Sequence, residues 1–207
     1  MAINDSNVRE KLLQLGSQKR YNFTAEYARC GYKVTYRHGL DRDKLAPTIM
    51  FKNVKINNSL VTDHLWFNYT KGFAELGKLV VGDVINFNAR VASYEKLGHK
   101  IDYKLERPTK VKLVSYKNVK DALPIPNTTK GKNELLGYIM LENKKFYQEN
   151  NRPYYPWYVE RYKKFLDQKI FRCYWRCYLE MLFGGLQSTL SYMLQDGGCQ
   201  KCSLRQD

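Results

Sequence analysis

The chain has 207 residues, which is enough for one domain or two small ones. Lys and Arg number 35 against 20 Asp and Glu, so the formal net charge is +15 at pH 7. The polar opening segment, residues 1–20, lacks the apolar stretch of a secretory signal, and no run approaches the length of a membrane span. We therefore expect a cytoplasmic protein with no membrane partner. An excess of positive charge attracts polyanions, chiefly nucleic acid, although a merely soluble basic surface is the alternative.

The first half of the chain is dominated by patterns typical of strands. A short helix, Val8–Leu15, precedes a long strand, Tyr21–Tyr36, in which Gly31 predicts a bulge or a sharp bend. A turn follows. Two further strands, Thr48–Ile56 and Leu60–Tyr69, are separated by the turn-forming sequence Asn-Asn-Ser and are predicted to form a hairpin.

One or two helical turns are predicted over residues 71–79, before the clearest strand of the chain, Val84–Tyr94. Its apolar and polar residues alternate with period two, which indicates a half-buried strand. The last two strand segments, Ile101–Leu105 and Lys110–Tyr116, are separated by Pro108, as expected at a sheet edge or bend. The apolar face of the clearest strand comprises Ile85, Phe87, Ala89 and Val91, and its polar face comprises Asn86, Asn88 and Arg90.

This order of elements is that of an OB fold: a long bent strand, a hairpin, a short helix and two more strands. We therefore predict an α+β protein in which a five-stranded OB-like β-barrel with a short N-terminal helix occupies residues 1–120. A generic small β-sandwich or an SH3-like barrel is the alternative architecture. Residues 121–132 contain a Pro-rich, polar break and are predicted to be a linker.

Residues 133–207 are predicted to form an α-helical domain that ends in a Cys-bearing helical hairpin. A first helix is expected over Glu134–Gln148 and a second from Pro156 to Phe183. The pair Gly184-Gly185 should break that second helix, and Leu186–Gln195 should form a shorter returning one.

Four of the five cysteines could form a metal site. Cys173 and Cys177 are four residues apart, so they lie one turn apart on a helix face, and Cys199 and Cys202 form a CxxC pair in the tail. The returning helix would bring the two pairs together, and four thiolates suit a tetrahedral, structural Zn²⁺. Four unrelated thiols are the alternative. Cys30, within a strand, is predicted to be a small core residue.

Three phrases are fairly specific as a set: VTDHLWFN, GDVINFNARV and DYKLERPTK. With the flanking sequence, about Tyr21 to Tyr116, they resemble a barrel module of small proteins encoded by phages and conjugative elements of Gram-positive bacteria. The resemblance implies an OB-like fold and a bacterial host cytoplasm, but no catalytic residue. Some proteins of that genetic setting are inhibitors of CRISPR effectors.

Contacts to nucleic acid require cations for phosphates and flat rings for bases, and OB barrels usually bind along the face of their second and third strands. The predicted binding residues are Lys33, Arg37, Lys52, Lys55, Trp66, Lys71, Arg90, Tyr94, Lys104, Lys110, Lys112, Arg172 and Arg176, with Tyr36 as a further ring. Any of these lysines could instead lie on a solvated strand face. Adjacent strand residues face opposite sides, so one of Trp66 and Phe67 must point outward.

No nucleotide-binding loop, nucleophile elbow or zinc-protease motif is present, which favours a non-enzymatic protein. The neighbours Asp63 and His64 are not expected to form a dyad, because adjacent strand residues point in opposite directions. We predict an accessory protein of a phage or mobile element that binds single-stranded DNA or RNA. The alternatives are an anti-CRISPR-type inhibitor that binds an effector or its guide RNA, and a structural component of a virion or conjugation apparatus.

Overall fold

The computed structural model describes residues 5–35, 44–95, 99–115, 124–126 and 130–183. The first half contains helix α1 (Asp5–Leu15), strands β1 (Tyr21–Thr35), β2 (Lys44–Ile56) and β3 (Ser59–Asn68), the short helix α2 (Lys71–Ala74), and strands β4 (Val84–Glu95) and β5 (Ile101–Ser115). The second half contains helices α3 (Lys132–Glu142), α4 (Lys144–Glu149) and α5 (Pro156–Phe183). The predicted α+β class with five antiparallel strands is confirmed.

The five strands form one antiparallel sheet in the order β3-β2-β1-β4-β5. Strand β1 lies at the centre because its beginning pairs with β4, from Tyr21 to Glu26, while its longer remainder pairs with β2. In the described part of the chain the sheet is not closed, so β3 and β5 are its edges. The register of β1 against β2 shifts between Thr24 and Arg29, which is where the strand changes partner. Gly31, which was expected to mark the bend, pairs regularly with Thr48.

An aromatic core joins the two halves of the sheet. Phe87 of β4 packs against Phe67 of β3 with ring centroids 5.5 Å apart and against Phe51 of β2 at 6.5 Å. Phe23 of β1 and Phe73 of α2 complete the cluster, and all five rings are buried. Burial of a large apolar side chain stabilises a fold by roughly 1.5–3 kcal/mol. One half of the sheet comprises β3, β2 and the later part of β1, and the other comprises the beginning of β1, β4 and β5. The aromatic rings bring the inner faces of these two halves together, so their outer faces point in different directions.

The alternation predicted for β4 is confirmed, since its four apolar residues are all buried in this core. Strand β5 differs from the prediction because it continues through Pro108 as one strand. Arg107 and Lys110 have positive φ angles of 51° and 52°, and the register against β4 shifts on either side of Asn88. Pro108 is tolerated because β5 is an edge strand whose pairing with β4 is irregular at this point.

Helix α1 lies against the starts of β3 and β5. Leu12 is fully buried in the core, and the ammonium of Lys11 donates to the carbonyl of Leu60 at 2.9 Å. The guanidinium of Arg9 forms an ion pair with the buried carboxylate of Asp102 on β5. The helix is thereby tied to both edge strands.

The helix predicted over Glu134–Gln148 is divided in two. It stops at Asn143, which has φ −110° and whose side-chain amide donates to the carbonyl of Ile139 at 2.8 Å. A second bond runs from the same amide to the sulfur of Cys30 at 3.3 Å. Burial raises the pKa of the Cys30 thiol, which is 4 % exposed, and its predicted core position is confirmed.

Helix α3 packs against β1 and β2 on one side and against α5 on the other. Its residues Leu135, Tyr138 and Ile139 belong to the same apolar cluster as the sheet core. The approach of α3 to α5 depends on Gly137, because a Cβ at that position would lie 2.0 Å from the carbonyl oxygen of Tyr158. The backbone of α5 extends over the range that the sequence predicted, whereas the hairpin predicted after Phe183 lies outside the described residues.

Replacing Gly137 by alanine is expected to destabilise the protein by about 1–3 kcal/mol, because α3 and α5 must separate to admit the methyl group. The sign of the change in unfolding free energy is diagnostic, since Gly→Ala at an exposed helical site would stabilise the protein by up to about 1 kcal/mol. Urea unfolding followed by circular dichroism measures the effect. Asn133→Ala, on the exposed side of α3, is the control and should change little. A Gly137→Ala variant as stable as the parent would contradict the close approach.

Candidate nucleic-acid interface

A groove of about 410 Å³ runs along the open edge between β3 and β5. Its wall on one side is the end of β3 with Lys33 of β1, and on the other the middle of β5. The lining residues are Lys33, Trp66, Phe67, Asn68, Thr70, Lys104, Leu105, Glu106, Arg107 and Pro108. Three cations, Lys33 of β1 together with Lys104 and Arg107 of β5, thus border one concave surface.

Trp66 is the aromatic ring of this groove. Its side chain is 40 % exposed, whereas that of the next residue, Phe67, is 4 % exposed and lies in the core. The predicted division of this pair between the two faces of β3 is therefore confirmed. The indole lies close over Gly31, where an added Cβ would be 3.3 Å from the ring. Gly31 thus provides the space for the ring on the outer face of β1.

Arg29 lies between two aromatic rings. Its guanidinium carbon is 5.1 Å from the centroid of Trp66 and 4.4 Å from that of Phe146 on α4. Both distances are within the range of cation–π attraction. Neither Arg29 nor Phe146 was predicted from the sequence to belong to the binding site. The period-two spacing of Arg29, Gly31 and Lys33 could have placed Arg29 on this face, but the contact with Phe146 depends on the packing of α4.

A second concavity, of about 320 Å³, adjoins the groove and shares Lys33 and Asn68 with it. It continues past Pro47 of β2 to Lys132, the first residue of α3. The two concavities form one path that begins beside the helices and ends at the middle of β5. Lysines stand near both ends of this path.

The predicted binding residues divide into several groups. Lys33, Trp66 and Lys104 line the groove together. Lys52 lies on the same outer face, where its ammonium is 3.9 Å from the carboxylate of Glu26. Lys55 lies nearer the far end of β2, opposite Leu60, and the ammonium of Lys71 is 3.4 Å from Glu75 outside the groove.

Arg90, Lys110 and Lys112 lie on β4 and β5, away from the groove, and are exposed. Tyr94 is half-buried and belongs to the network that holds α1. Its hydroxyl donates to Asp102 at 2.8 Å and accepts from Arg9 at 3.2 Å, while the ammonium of Lys104 lies 5.6 Å from its ring. The hydroxyl of Tyr94 is therefore engaged in hydrogen bonds that attach α1 to the sheet.

Several predicted residues lie outside the described part. Arg37 and Tyr36 are not described, and of Arg172 and Arg176 only the helical backbone is. The same holds for the proposed zinc ligands, because Cys173 and Cys177 are described in backbone alone and Cys199 and Cys202 not at all. Over the described ranges, no group of three or more His, Cys, Asp or Glu side chains could hold a metal ion. The zinc site stays a prediction.

Asp63 and His64 are in contact, contrary to the expectation from strand alternation. The Asp63 carboxylate bends towards the next residue of β3. It accepts a hydrogen bond from the His64 backbone amide at 2.7 Å and lies 2.8 Å from the imidazole Nδ1. Partial burial alone would raise the pKa of Asp63, but the hydrogen bonds from His64 and Thr62 lower it overall. The arrangement holds the imidazole in one orientation on the same strand face as Trp66.

Comparisons with protein-family models, with curated proteins and with solved structures found no match to this chain. Within the part of the chain that the structure describes, no helix is both long enough and apolar enough to cross a membrane.

Replacing Gly31 by valine is expected to displace the Trp66 indole, because even a Cβ at this position lies 3.3 Å from the ring. The displaced ring should be more accessible to acrylamide, as measured by fluorescence quenching in a chain whose Trp157 and Trp175 are replaced by phenylalanine. Ala46→Val adds a branched side chain to the same sheet face opposite Lys33 and is the control. Equal quenching in both variants would show that Gly31 does not position the ring.

Proposed function

We propose that this chain is a non-enzymatic protein that binds single-stranded DNA or RNA in the groove beside Trp66. The observation that carries the proposal is an exposed indole, in contact with Arg29, within a concave surface that Lys33, Lys104 and Arg107 also line. Single strands are bound by this combination, because bases stack on rings while Lys and Arg attract the phosphates. The net charge of +15 adds a long-range attraction.

We further propose that the sheet is an OB-type barrel. Supporting this are the strand order, the central strand shared between two partners, and the helical turn between β3 and β4. In such a barrel β3 and β5 are neighbours, and residues of both strands line the groove. OB barrels bind oligonucleotides on the face of their second and third strands, which is the face that bears Trp66.

The genetic setting of the proposal is a phage or a conjugative element acting in the host cytoplasm. It rests on the resemblance carried by residues 21–116. An accessory protein in that setting would protect or deliver single strands, a task that needs no catalytic residue.

A second candidate function is inhibition of a CRISPR effector through its protein or its guide RNA. The observation that favours it is the exposed aromatic patch at the start of α5. Tyr155 and Trp157 are 42 % and 58 % exposed, and the guanidinium of Arg161 lies 5.7 Å from the Trp157 ring. Trp, Tyr and Arg are the residues that most often anchor protein interfaces.

Trp66→Ala is expected to weaken binding of an unstructured oligonucleotide by the contribution of one stacked base. That contribution is about 1–3 kcal/mol, or roughly 5- to 150-fold in Kd. Fluorescence anisotropy over a series of salt concentrations measures it, and affinity should fall steeply with salt. Trp157→Ala, which removes a more exposed indole far along the chain, is the matched control and should retain affinity. No binding by the parent at low salt to either DNA or RNA would reject the proposal.

A pull-down from bacterial lysate separates the two candidates. Under nucleic-acid binding, captured proteins should disappear after nuclease treatment and at high salt. Under inhibition of an effector, one partner should persist through both treatments and be lost with Trp157→Ala but not with Trp66→Ala. Persistence of that partner in both variants would assign the contact to another surface.

A further inference from the structure

A second exposed surface lies on the outer side of β1, β4 and β5. Its centre is a ladder of asparagines. The side-chain amide of Asn22 donates to the side-chain oxygens of Asn86 at 2.7 Å and Asn88 at 2.8 Å, and Asn86 returns a bond to Asn22 at 2.7 Å. We call this ladder, together with its flanking cations Arg20, Arg90 and Lys112, the asparagine face.

The cations are placed by the strand register. Lys112 lies opposite Asn86 on β5, and Arg90 follows Asn88 by two residues on the same face of β4. Arg90 and Lys112 are exposed and form no ion pair among the described residues. Glu106 lies opposite Arg90 on β5, and its carboxylate pairs with Lys104 at 2.7 Å. Uncharged amides flanked by exposed cations are suited to the sugar–phosphate backbone, which Arg, Lys, Asn and Thr side chains contact.

Among the described residues, the asparagine face differs from the groove in having no ring free for stacking. Neither the ladder nor its flanking cations are aromatic. Tyr94, further along β4, is half-buried, its hydroxyl donates to Asp102, and the ammonium of Lys104 lies 5.6 Å from its ring. Unpaired bases gain little on such a surface, since their affinity depends on stacking. A duplex needs no stacking ring from the protein, because its bases are already stacked on one another. Its closely spaced phosphates can instead bind the cations of this face.

The two surfaces meet at Arg107. This residue lines the groove, and its carbonyl accepts a bond from the guanidinium of Arg20 at 2.6 Å. The same guanidinium donates to Thr109 at 3.3 Å, and Thr109 lies opposite Asn88 in the ladder. A nucleic acid leaving the groove along β5 therefore arrives directly at the asparagine face.

We propose that the preferred ligand is a junction between single-stranded and double-stranded nucleic acid. The unpaired strand occupies the groove beside Trp66, and the duplex backbone lies on the asparagine face. This inference rests on the proposed function, since it assigns the unpaired strand to the same groove. It narrows the ligand to a structured molecule, such as a hairpin with an unpaired tail.

The test compares three kinds of probe of matched sequence: an unpaired oligonucleotide, a blunt hairpin, and the same hairpin carrying the oligonucleotide as a tail. The tailed hairpin is made in two versions, with the tail at the 5′ or at the 3′ end. The tailed hairpin should bind more tightly than either component. Combined Arg90→Gln and Lys112→Gln substitutions should remove this advantage and leave the affinity for the unpaired oligonucleotide unchanged. For the tailed hairpin, they should also reduce the slope of log affinity against log salt by about two, because each lost contact with a duplex phosphate removes roughly 0.9 from that slope.

Combined Lys163→Gln and Lys164→Gln substitutions, which neutralise two exposed cations of α5, are the matched control, and circular dichroism checks that each variant is folded. The inference is overturned if the parent binds the tailed hairpin no more tightly than the unpaired oligonucleotide. It is also overturned if both double variants lose the same affinity. If only the blunt hairpin binds, and Arg90→Gln with Lys112→Gln weakens it, the groove proposal fails while the duplex face is supported.

Discussion

The packing of Phe87 against Phe51 and Phe67 is the contact on which the rest of the structure depends. These rings come from three strands, and only a strongly bent sheet can bring them together. Aromatic pairs in these geometries contribute about 0.5–1.5 kcal/mol each beyond the burial of their area. Because the inner faces are occupied by this core, the exposed cations of the described strands, among them Lys33, Arg90 and Lys112, lie outside it. The distribution of basic surface follows from the core.

The second constraint is that two neighbouring groups must approach the backbone closely, which is possible because glycine lacks a side chain at both positions. Gly137 lets α3 lie against α5, and α3 in turn covers the part of β1 and β2 that extends past the aromatic core. Gly31 lets the Trp66 indole lie on β1. The helices are thus part of the site, because α4 contributes Phe146 to the stack that contains Arg29 and Trp66. A substitution in the helical region can therefore alter the groove without touching it.

The indole of Trp66 already has a cation–π contact with Arg29. A cation–π pair at an exposed site contributes about 0.5–1 kcal/mol, less than the 1–3 kcal/mol of a stacked base. Under the proposed function, a nucleobase would compete with Arg29 for the indole. The cations at the groove edge would attract phosphates at longer range, and that attraction declines with salt.

The sequence by itself determined the succession of strands along the chain, the inward and outward faces of β4, the division of Trp66 and Phe67 between opposite faces, and the buried position of Cys30. Each follows from alternation or composition within a short segment, where local geometry decides which way a side chain points. The tertiary structure alone decided that Lys33, Trp66 and Lys104 share one groove, that Arg29 lies between Trp66 and Phe146, and that Arg107 joins the groove to the asparagine face. It also turned the Asp63 carboxylate onto His64 and divided the predicted helix at Asn143. These features depend on contacts between distant segments or on the rotation of a single side chain, which periodicity along the chain does not encode.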